Sequence, residues 1–211
     1  MSSDPRSDAP SPGPEAPATV EPESELVRRR GADLLEALET RLPGARRHAD
    51  SSASWALAIA VELGLDRERA LSVREAARLH AIGMLYLPAE LLGRPEWELS
   101  AEELGRYDEQ AEAAGRLAAG AEIPAAPAAW LAHWRERFDG RGKLGLVGGA
   151  IPLESRIIRV ACAFDAVLTG ARHSDAEDPT SIALEWLGGV EGAELDPAAT
   201  GALVEALSRS A

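Results

Sequence analysis

The sequence predicts an all-α fold, and three observations lead to that prediction. Apolar residues recur at spacings of three and four in successive segments, as in Trp55, Ile59 and Leu63, which places them on one face of a helix. Alanine is abundant and aromatic residues make up only 4% of the chain, which favours packed helices over sheets. No run of strand length alternates between apolar and polar residues. At 211 residues the chain is long enough for one well-buried helical domain with a tail.

The first 23 residues differ in composition from the rest of the chain. They contain six prolines among Ser, Asp, Glu and Ala, and proline removes a backbone donor and blocks helix formation. The segment has too few apolar residues to form a core. We therefore expect residues 1–23 to form a disordered acidic tail and residues 24–211 to form the helical domain.

The helices of this domain are delimited by glycines and by capping residues. Gly44 and Gly64 are expected to end the first two helices. Ser100 with Glu103 three residues later is a capping box, which opens a helix further along the chain. The predicted helices span residues 24–42, 48–63, 66–82, 89–92, 100–120, 128–137, 156–168, 179–187 and 197–208, with Gly188 and Gly189 separating the last two.

Charge and composition exclude several classes of function. The chain carries 35 acidic and 22 basic residues, a formal net charge of −13, which argues against nucleic-acid binding and against docking to an anionic membrane. The single cysteine, Cys162, excludes an intramolecular disulfide and is typical of a reducing compartment. The sequence shows neither a signal-peptide pattern nor the roughly 18 apolar residues in a row that a membrane span needs. We therefore expect a soluble cytoplasmic protein.

His80 is the first candidate for a metal ligand. It closes an apolar helical segment in which Val73, Ala77 and His80 share one face, and Gly83 is expected to let the backbone turn just beyond it. A histidine that points inward at a helix end could ligate a metal or could be a hydrogen-bonded core residue. A carboxylate beside it would supply a second ligand for a cation, but the next residue is Ala81, which has no donor atom.

The segment Leu79-His80-Ala81-Ile82-Gly83-Met84 resembles the His-Asp-Ile-Gly-Lys signature of the HD phosphohydrolase superfamily, with Ala81 in place of the aspartate and Met84 in place of the lysine. From about His48 to the C-terminus the chain is similar to the HD-GYP branch of that superfamily. The resemblance implies a helical bundle whose active members are metal-dependent phosphodiesterases that act on cyclic di-GMP. It is also carried by His48 sixteen residues before Gly64-Leu65, Leu99-Ser100-Ala101-Glu102-Glu103, Glu136-Arg137-Phe138-Asp139-Gly140-Arg141-Gly142, Ile151-Pro152-Leu153-Glu154-Ser155-Arg156-Ile157-Ile158 and Phe164-Asp165-Ala166.

Most of the metal ligands that the resemblance implies are absent. Enzymes of this branch hold two or more metal ions with His and Asp side chains, and only His48 and His80 match those ligands here. The resemblance therefore implies no catalytic metal cluster and no cofactor, and we expect the large ring of Trp134 to fill the cavity. A single Zn²⁺ held by His48, His80 and Cys162 stays open as an alternative. The ligand positions that have lost their ligand carry Ala81, Gln110, Trp134, Arg135 and Cys162.

A group of basic residues remains near the expected substrate mouth. Beside a glycine-rich loop, such side chains could bind a phosphate. The alternative is that they lie in solvent and pair with Glu136, Asp139 and Glu154. The group consists of Arg135, Arg137, Arg141 and Lys143, together with Arg156 and Arg159.

Two functions follow from the resemblance. The first is a catalytically inactive HD-GYP-like domain that acts as a regulatory module in bacterial signalling by binding a partner protein. The alternative is a metal-dependent phosphohydrolase acting on cyclic di-GMP, or a sensor that binds a cyclic dinucleotide without hydrolysing it. The sequence leaves the oligomeric state and the partner's identity open.

Overall fold

The described part of the chain is helical throughout. The structure, a computed structural model, describes residues 21–94, 98–173 and 178–210, which include only residues 21–23 of the predicted tail. These residues contain two isolated β-bridges but no β-strand, which confirms the all-α class. Within the same ranges, no helix has both the length and the apolar character needed to cross a bilayer. The α-helices are α1 (Glu23–Arg41), α2 (Ala45–Glu62), α3 (Arg67–Arg78), α4 (Ala101–Asp108), α5 (Gln110–Gly120), α6 (Ala125–His133), α7 (Leu153–His173), α8 (Pro179–Val190) and α9 (Pro197–Ser210), with short 3-10 helices at His80–Tyr86, Ala89–Leu91 and Gly148–Ala150.

Helix starts are set by the residue that precedes them. α2 begins at Ala45 and not at His48, because Gly44 adopts a left-handed conformation with φ +93° and turns the chain directly into the helix. α4 begins as predicted after Ser100, whose side chain accepts from the backbone of Glu103 while the Glu103 carboxylate accepts from the backbone of Ser100.

Helix ends were predicted less well than helix starts. The helix that opens at the capping box is interrupted at Glu109 and resumes as α5. α6 ends at His133, so Trp134 is its C-cap residue and does not lie within a helix that runs to residue 137. α8 continues through Gly188 and Gly189, since the helix cost of a glycine, about 1 kcal/mol, is readily outweighed by tertiary packing.

The segment that carries His80 is the largest departure from the predicted fold. α3 ends at Arg78, and the chain continues as a 3-10 helix that includes Gly83. Gly83 therefore does not provide a turn. A Cβ atom at this position would lie 1.8 Å from the carbonyl oxygen of Gln110, so the glycine lets the 3-10 helix pack directly on the backbone of α5.

The main core surrounds α7. Ile157, Ile158 and Phe164 of this helix are fully buried, and Trp55 of α2 packs edge-on against Phe164 with ring centroids 5.1 Å apart. Small residues on the facing helices, such as Ala56, allow their backbones to approach closely. The result is that α2 is packed along α7, which sets the position of His48 relative to the closing helix.

A second core fixes the 3-10 helix that carries His80. Val27 and Leu35 of α1 pack with Ile82 of that segment, with Ala114 of α5 and with Leu131 of α6. Because this cluster includes residues of both elements, the His80 segment and the end of α6 are held against each other. The two cores together bring residues from α2, α6, α7 and the 3-10 helix to one place.

Candidate functional site

The two histidines predicted as metal ligands lie next to each other. The ring centroids of His48 and His80 are 5.0 Å apart, with the rings nearly perpendicular. His80 is buried, and its Nδ1 lies 2.8 Å from the carbonyl oxygen of Ala77. Because a carbonyl only accepts, His80 Nδ1 is the donor, and its Nε2 is the ring nitrogen that carries the lone pair.

His48 is held by a carboxylate that sequence reasoning recognised only as part of a motif. Its Nδ1 donates to Oδ2 of Asp165 over 2.6 Å, and the hydroxyl of Ser51 donates to the other carboxylate oxygen. Burial raises the pKa of Asp165, but the hydrogen bonds from His48 and Ser51 outweigh it and the net pKa is lowered. Asp165 is therefore ionised and already engaged by two protein donors.

Trp134 occupies the space beside His80. Trp134 is only 5% exposed, and its indole packs edge-on against the imidazole of His80, with the ring centroids 4.9 Å apart. It belongs to the same buried cluster as Cys162 of α7. A large apolar ring thus stands at a position where the resemblance implies a ligand.

Arg135 places a positive charge over the ring of Trp134. Its Nε and Nη2 both donate to Oδ1 of Asp108, at 2.9 and 2.7 Å, and its side chain is 8% exposed. The guanidinium carbon also lies 5.1 Å from the ring centroid of Tyr107 and 5.4 Å from that of Trp134. This combination of a charge-assisted bond and two aromatic contacts fixes the cation in a largely desolvated position.

The remaining degenerate positions supply no ligand of the required kind. Ala81 packs in an apolar cluster. Burial raises the pKa of the Cys162 thiol, so the thiolate that a metal would need is disfavoured. Gln110 is buried, and among the described residues neither of its amide atoms has a hydrogen-bond partner. Burying this unpaired amide therefore lowers the stability of the folded protein.

These side chains do not fit a cluster of two or more metal ions. Such a cluster requires a ring of His and Asp ligands around a shared space. Beside His48 and His80, the structure places an indole and a cation, and the carboxylate of Asp165 is taken up by His48 and Ser51. In the part of the chain that is described, no three His, Cys, Asp or Glu side chains are grouped so as to hold a metal.

Five of the six predicted basic residues line one cleft of about 190 Å³. Each of them has a carboxylate nearby. Arg137 lies 2.8 Å from Asp139 and 2.7 Å from Glu194, and its hydrogen bond is the main cause that lowers the pKa of Asp139 to about 2. The other cations that line the cleft are paired as well. Arg135 pairs with Asp108, Lys143 lies 3.0 Å from Glu112, and Arg159 lies 3.4 Å from Glu194. Arg141 is 84% exposed and lies 4.0 Å from Asp139.

The carboxylates proposed from sequence as partners of the basic residues take different roles. Asp139 does pair with them, as described. Glu136 is buried and accepts backbone N–H groups of Leu144 and Leu146, at 2.9 and 3.3 Å, so it organises the loop from within. Glu154 pairs with Arg69 of α3. Arg156, finally, pairs with Asp196 and is absent from the lining of the cleft.

We expect the stability of the protein to fall between pH 6.5 and pH 5 because of His80. Burial, followed by the neighbouring charge of His48, lowers the pKa of His80 to about 3. An unfolded chain binds a proton at this residue near pH 6.5, so each pH unit below that value lowers the free energy of unfolding by up to about 1.4 kcal/mol. In the unfolded chain, aspartate and glutamate side chains take up protons mainly below pH 5. The carboxylates, Asp165 among them, therefore contribute little to the change in stability between pH 6.5 and pH 5.

The measurement is urea unfolding at pH 7, 6 and 5 of the parent protein and of His80→Gln, whose amide can still form hydrogen bonds but does not titrate. His80→Gln should be less stable at pH 7 by about 1–3 kcal/mol, and its stability should depend less on pH. A chelator should change neither result. Equal pH dependence in the two proteins would show that His80 is not the buried neutral group described.

Comparison with known proteins identifies the domain family that this chain resembles. A model of the HD domain family matches residues 34–199. The chain is 31% identical over 191 residues to the cyclic di-GMP phosphodiesterase response regulator RpfG of Xanthomonas campestris pv. campestris, covering 89% of the chain and 50% of that protein. It is 34% identical over 128 residues to the 3'3'-cGAMP-specific phosphodiesterase 1 of Vibrio cholerae, covering 59% and 29%. The chain thus spans half or less of the length of these relatives.

Solved structures show the same fold at lower identity. Bd1817 of Bdellovibrio bacteriovorus, described as an HDG"Y"P protein, has a TM-score of 0.65 at 17% identity, covering 88% of this chain and 61% of the solved chain. The PgpH HD domain of L. monocytogenes, solved in complex with cyclic-di-AMP, has a TM-score of 0.59 at 17% identity, covering 84% and 94%. Since the family model spans most of the chain and the fold agrees, this chain belongs to the HD domain family and is homologous to the HD-GYP proteins.

Proposed function

We propose that this chain is a catalytically inactive HD-GYP-like domain that acts in the cytoplasm as a regulatory module by binding a partner protein. The contact between Trp134 and His80 carries the proposal. With ring centroids 4.9 Å apart and ring planes at 80°, the indole packs edge-on against the imidazole of His80, and we infer that it leaves no room for a metal ion beside this residue. A buried indole contributes strongly to packing, so this arrangement stabilises the fold without a metal.

The charge at the site supports the same conclusion. Arg135 is held beside Trp134 by Asp108 and by the ring of Tyr107. Besides burial, the charge of Arg135 is one of the causes that lower the pKa of His80, so it acts at this histidine and opposes the binding of a metal cation there. Loss of the metals would remove both the hydroxide nucleophile and the charge stabilisation that hydrolysis of a phosphodiester requires in this chemistry.

A hydrolysis assay tests this proposal. We expect the purified protein not to cleave cyclic di-GMP, with or without added Mn²⁺ or Fe²⁺, as followed by chromatography of the nucleotide. His80→Ala serves as the control for trace contaminating enzyme. Turnover that depends on the added metal and disappears in His80→Ala would contradict the proposal and favour the phosphodiesterase that the relatives represent.

A second candidate is a sensor that binds a cyclic dinucleotide without hydrolysing it. The observation that favours it is the gathering of Arg135, Arg137, Arg141 and Lys143 in one cleft. The pairing of these cations with carboxylates weighs against it, since a phosphate would have to displace Asp139 or Glu112. Equilibrium dialysis with cyclic di-GMP separates the candidates, because binding that is retained with a chelator and lost in Arg141→Ala would favour the sensor.

A further inference from the structure

Helix α8 presents two apolar faces, and the described residues cover only one of them. Ala183 and Leu187 point into the core and are buried. Ile182 and Trp186 lie on the neighbouring row, also four residues apart, and remain 44% and 40% exposed. An exposed tryptophan flanked along a helix by a β-branched residue is the kind of anchor that dominates the energetics of protein interfaces.

The surroundings of this row are acidic. Asp178, the N-cap residue of α8, precedes Ile182 by four residues in the same row, and its carboxylate accepts from the backbone N–H and the hydroxyl of Ser181. Glu185 follows Ile182 by three residues and lies beside the row, and Glu191 follows the end of the helix. The sequence from residue 178 to residue 208 contains no Lys or Arg. Glu194 and Asp196 of this region pair with arginines elsewhere in the fold, whereas no ion pair among the described residues engages Glu185, Glu191 or Glu205.

We propose that the outer face of α8, formed by Asp178, Ile182, Glu185 and Trp186, docks a basic amphipathic helix of a partner protein. This inference rests on the proposed function, since it names the surface and the chemistry of the partner that an inactive domain would bind. Apolar side chains of the partner helix pack on Ile182 and Trp186, and its Lys or Arg residues lie over the acidic rim.

Charge complementarity selects this occupant over two others. A second copy of the chain, itself at −13, would bring one acidic rim against another and would be repelled. The chain's own first 20 residues are acidic as well, with Asp4, Asp8 and Glu15 against Arg6. A basic segment is the occupant that gains from the rim and from the apolar row together.

The test uses the full chain and a defined probe. A dye-labelled helical peptide of roughly 18 residues, built from Leu and Lys with one apolar face, is titrated by fluorescence anisotropy at physiological salt. Trp186→Ser should weaken binding at least about tenfold, and Glu185→Lys at least about threefold with reduced salt dependence. Val61→Ser, which removes another exposed apolar side chain, and Glu90→Lys, which makes the same charge change elsewhere, should leave binding within about twofold.

Several results would overturn the inference. They are the absence of peptide binding up to about 1 mM, equal binding of a Leu and Glu peptide, equal effects of the target and control variants, and self-association of the chain that Trp186→Ser abolishes. Metal content and hydrolysis, measured on the same samples, report separately on the proposed function. If the protein binds metal and hydrolyses cyclic di-GMP, the proposed function is wrong, whether or not the peptide binds. If only peptide binding fails, the docking surface alone is wrong.

Discussion

Trp134→Ala should lower the free energy of unfolding by about 3–5 kcal/mol, the range for truncating an aromatic side chain in a packed core. The indole is buried, it contacts His80 edge-on, and it underlies the guanidinium of Arg135. Its removal would leave a cavity between two fixed side chains that cannot collapse into it, because His80 is bonded to the carbonyl of Ala77 and Arg135 to Asp108.

The matched control for this substitution is Tyr86→Ala. Tyr86 is another aromatic residue of the same region but is largely exposed, so its loss should change stability by less than about 1 kcal/mol. Both are measured by urea unfolding with a chelator present throughout. If the two substitutions had the same small effect, Trp134 would not fill the site, and the space beside His80 would have to be reconsidered as a ligand pocket.

Gly83→Ala should be as damaging, for a different reason. The added Cβ would lie 1.8 Å from the carbonyl oxygen of Gln110 and 2.9 Å from the backbone nitrogen of Ala114. Both atoms belong to the backbone of α5, so no side-chain rotation relieves the clash, and the 3-10 helix must move away from α5. We expect a loss of at least about 3 kcal/mol, at the upper end of the cost of overpacking.

Gly105→Ala provides the control, since it makes the same chemical change within α4 at a position where the new Cβ meets nothing within 4 Å. That variant should be unchanged or more stable by about 0.5–1 kcal/mol, because alanine is favoured over glycine inside a helix. Thermal unfolding of the two variants and of the parent protein measures both predicted changes in stability. Equal stability of Gly83→Ala and the parent would mean that the 3-10 helix does not rest on the α5 backbone.

The fold class and most helix starts were predictable because they depend on local signals. The capping box of Ser100 and Glu103 is confirmed in both of its hydrogen bonds, and the all-α class follows from the spacing of apolar residues. The change from α-helix to 3-10 helix after Arg78 was not predictable, since it depends on close packing of Gly83 against a helix that lies more than twenty residues further along the chain.

The site was predictable only in part. Motif spacing pointed to His48 and His80, which the structure places side by side. The partner of His48, Asp165, lies 117 residues away, and Asp108 lies 27 residues before Arg135. No local pattern links such residues, because each pair is created by tertiary packing and many carboxylates compete for each cation in an acidic chain.

The metal content of the purified protein tests the central claim most directly. His80 is buried against Trp134, the partly exposed His48 is hydrogen-bonded to Asp165, and Trp134 and Arg135 stand where the resemblance implies ligands. Inductively coupled plasma mass spectrometry of protein purified without chelator, and again after incubation with Mn²⁺, Fe²⁺ or Zn²⁺ followed by desalting, should find far less than one transition-metal ion per chain. Two or more bound ions per chain, lost in His80→Ala, would contradict the account and indicate a retained metal-dependent site.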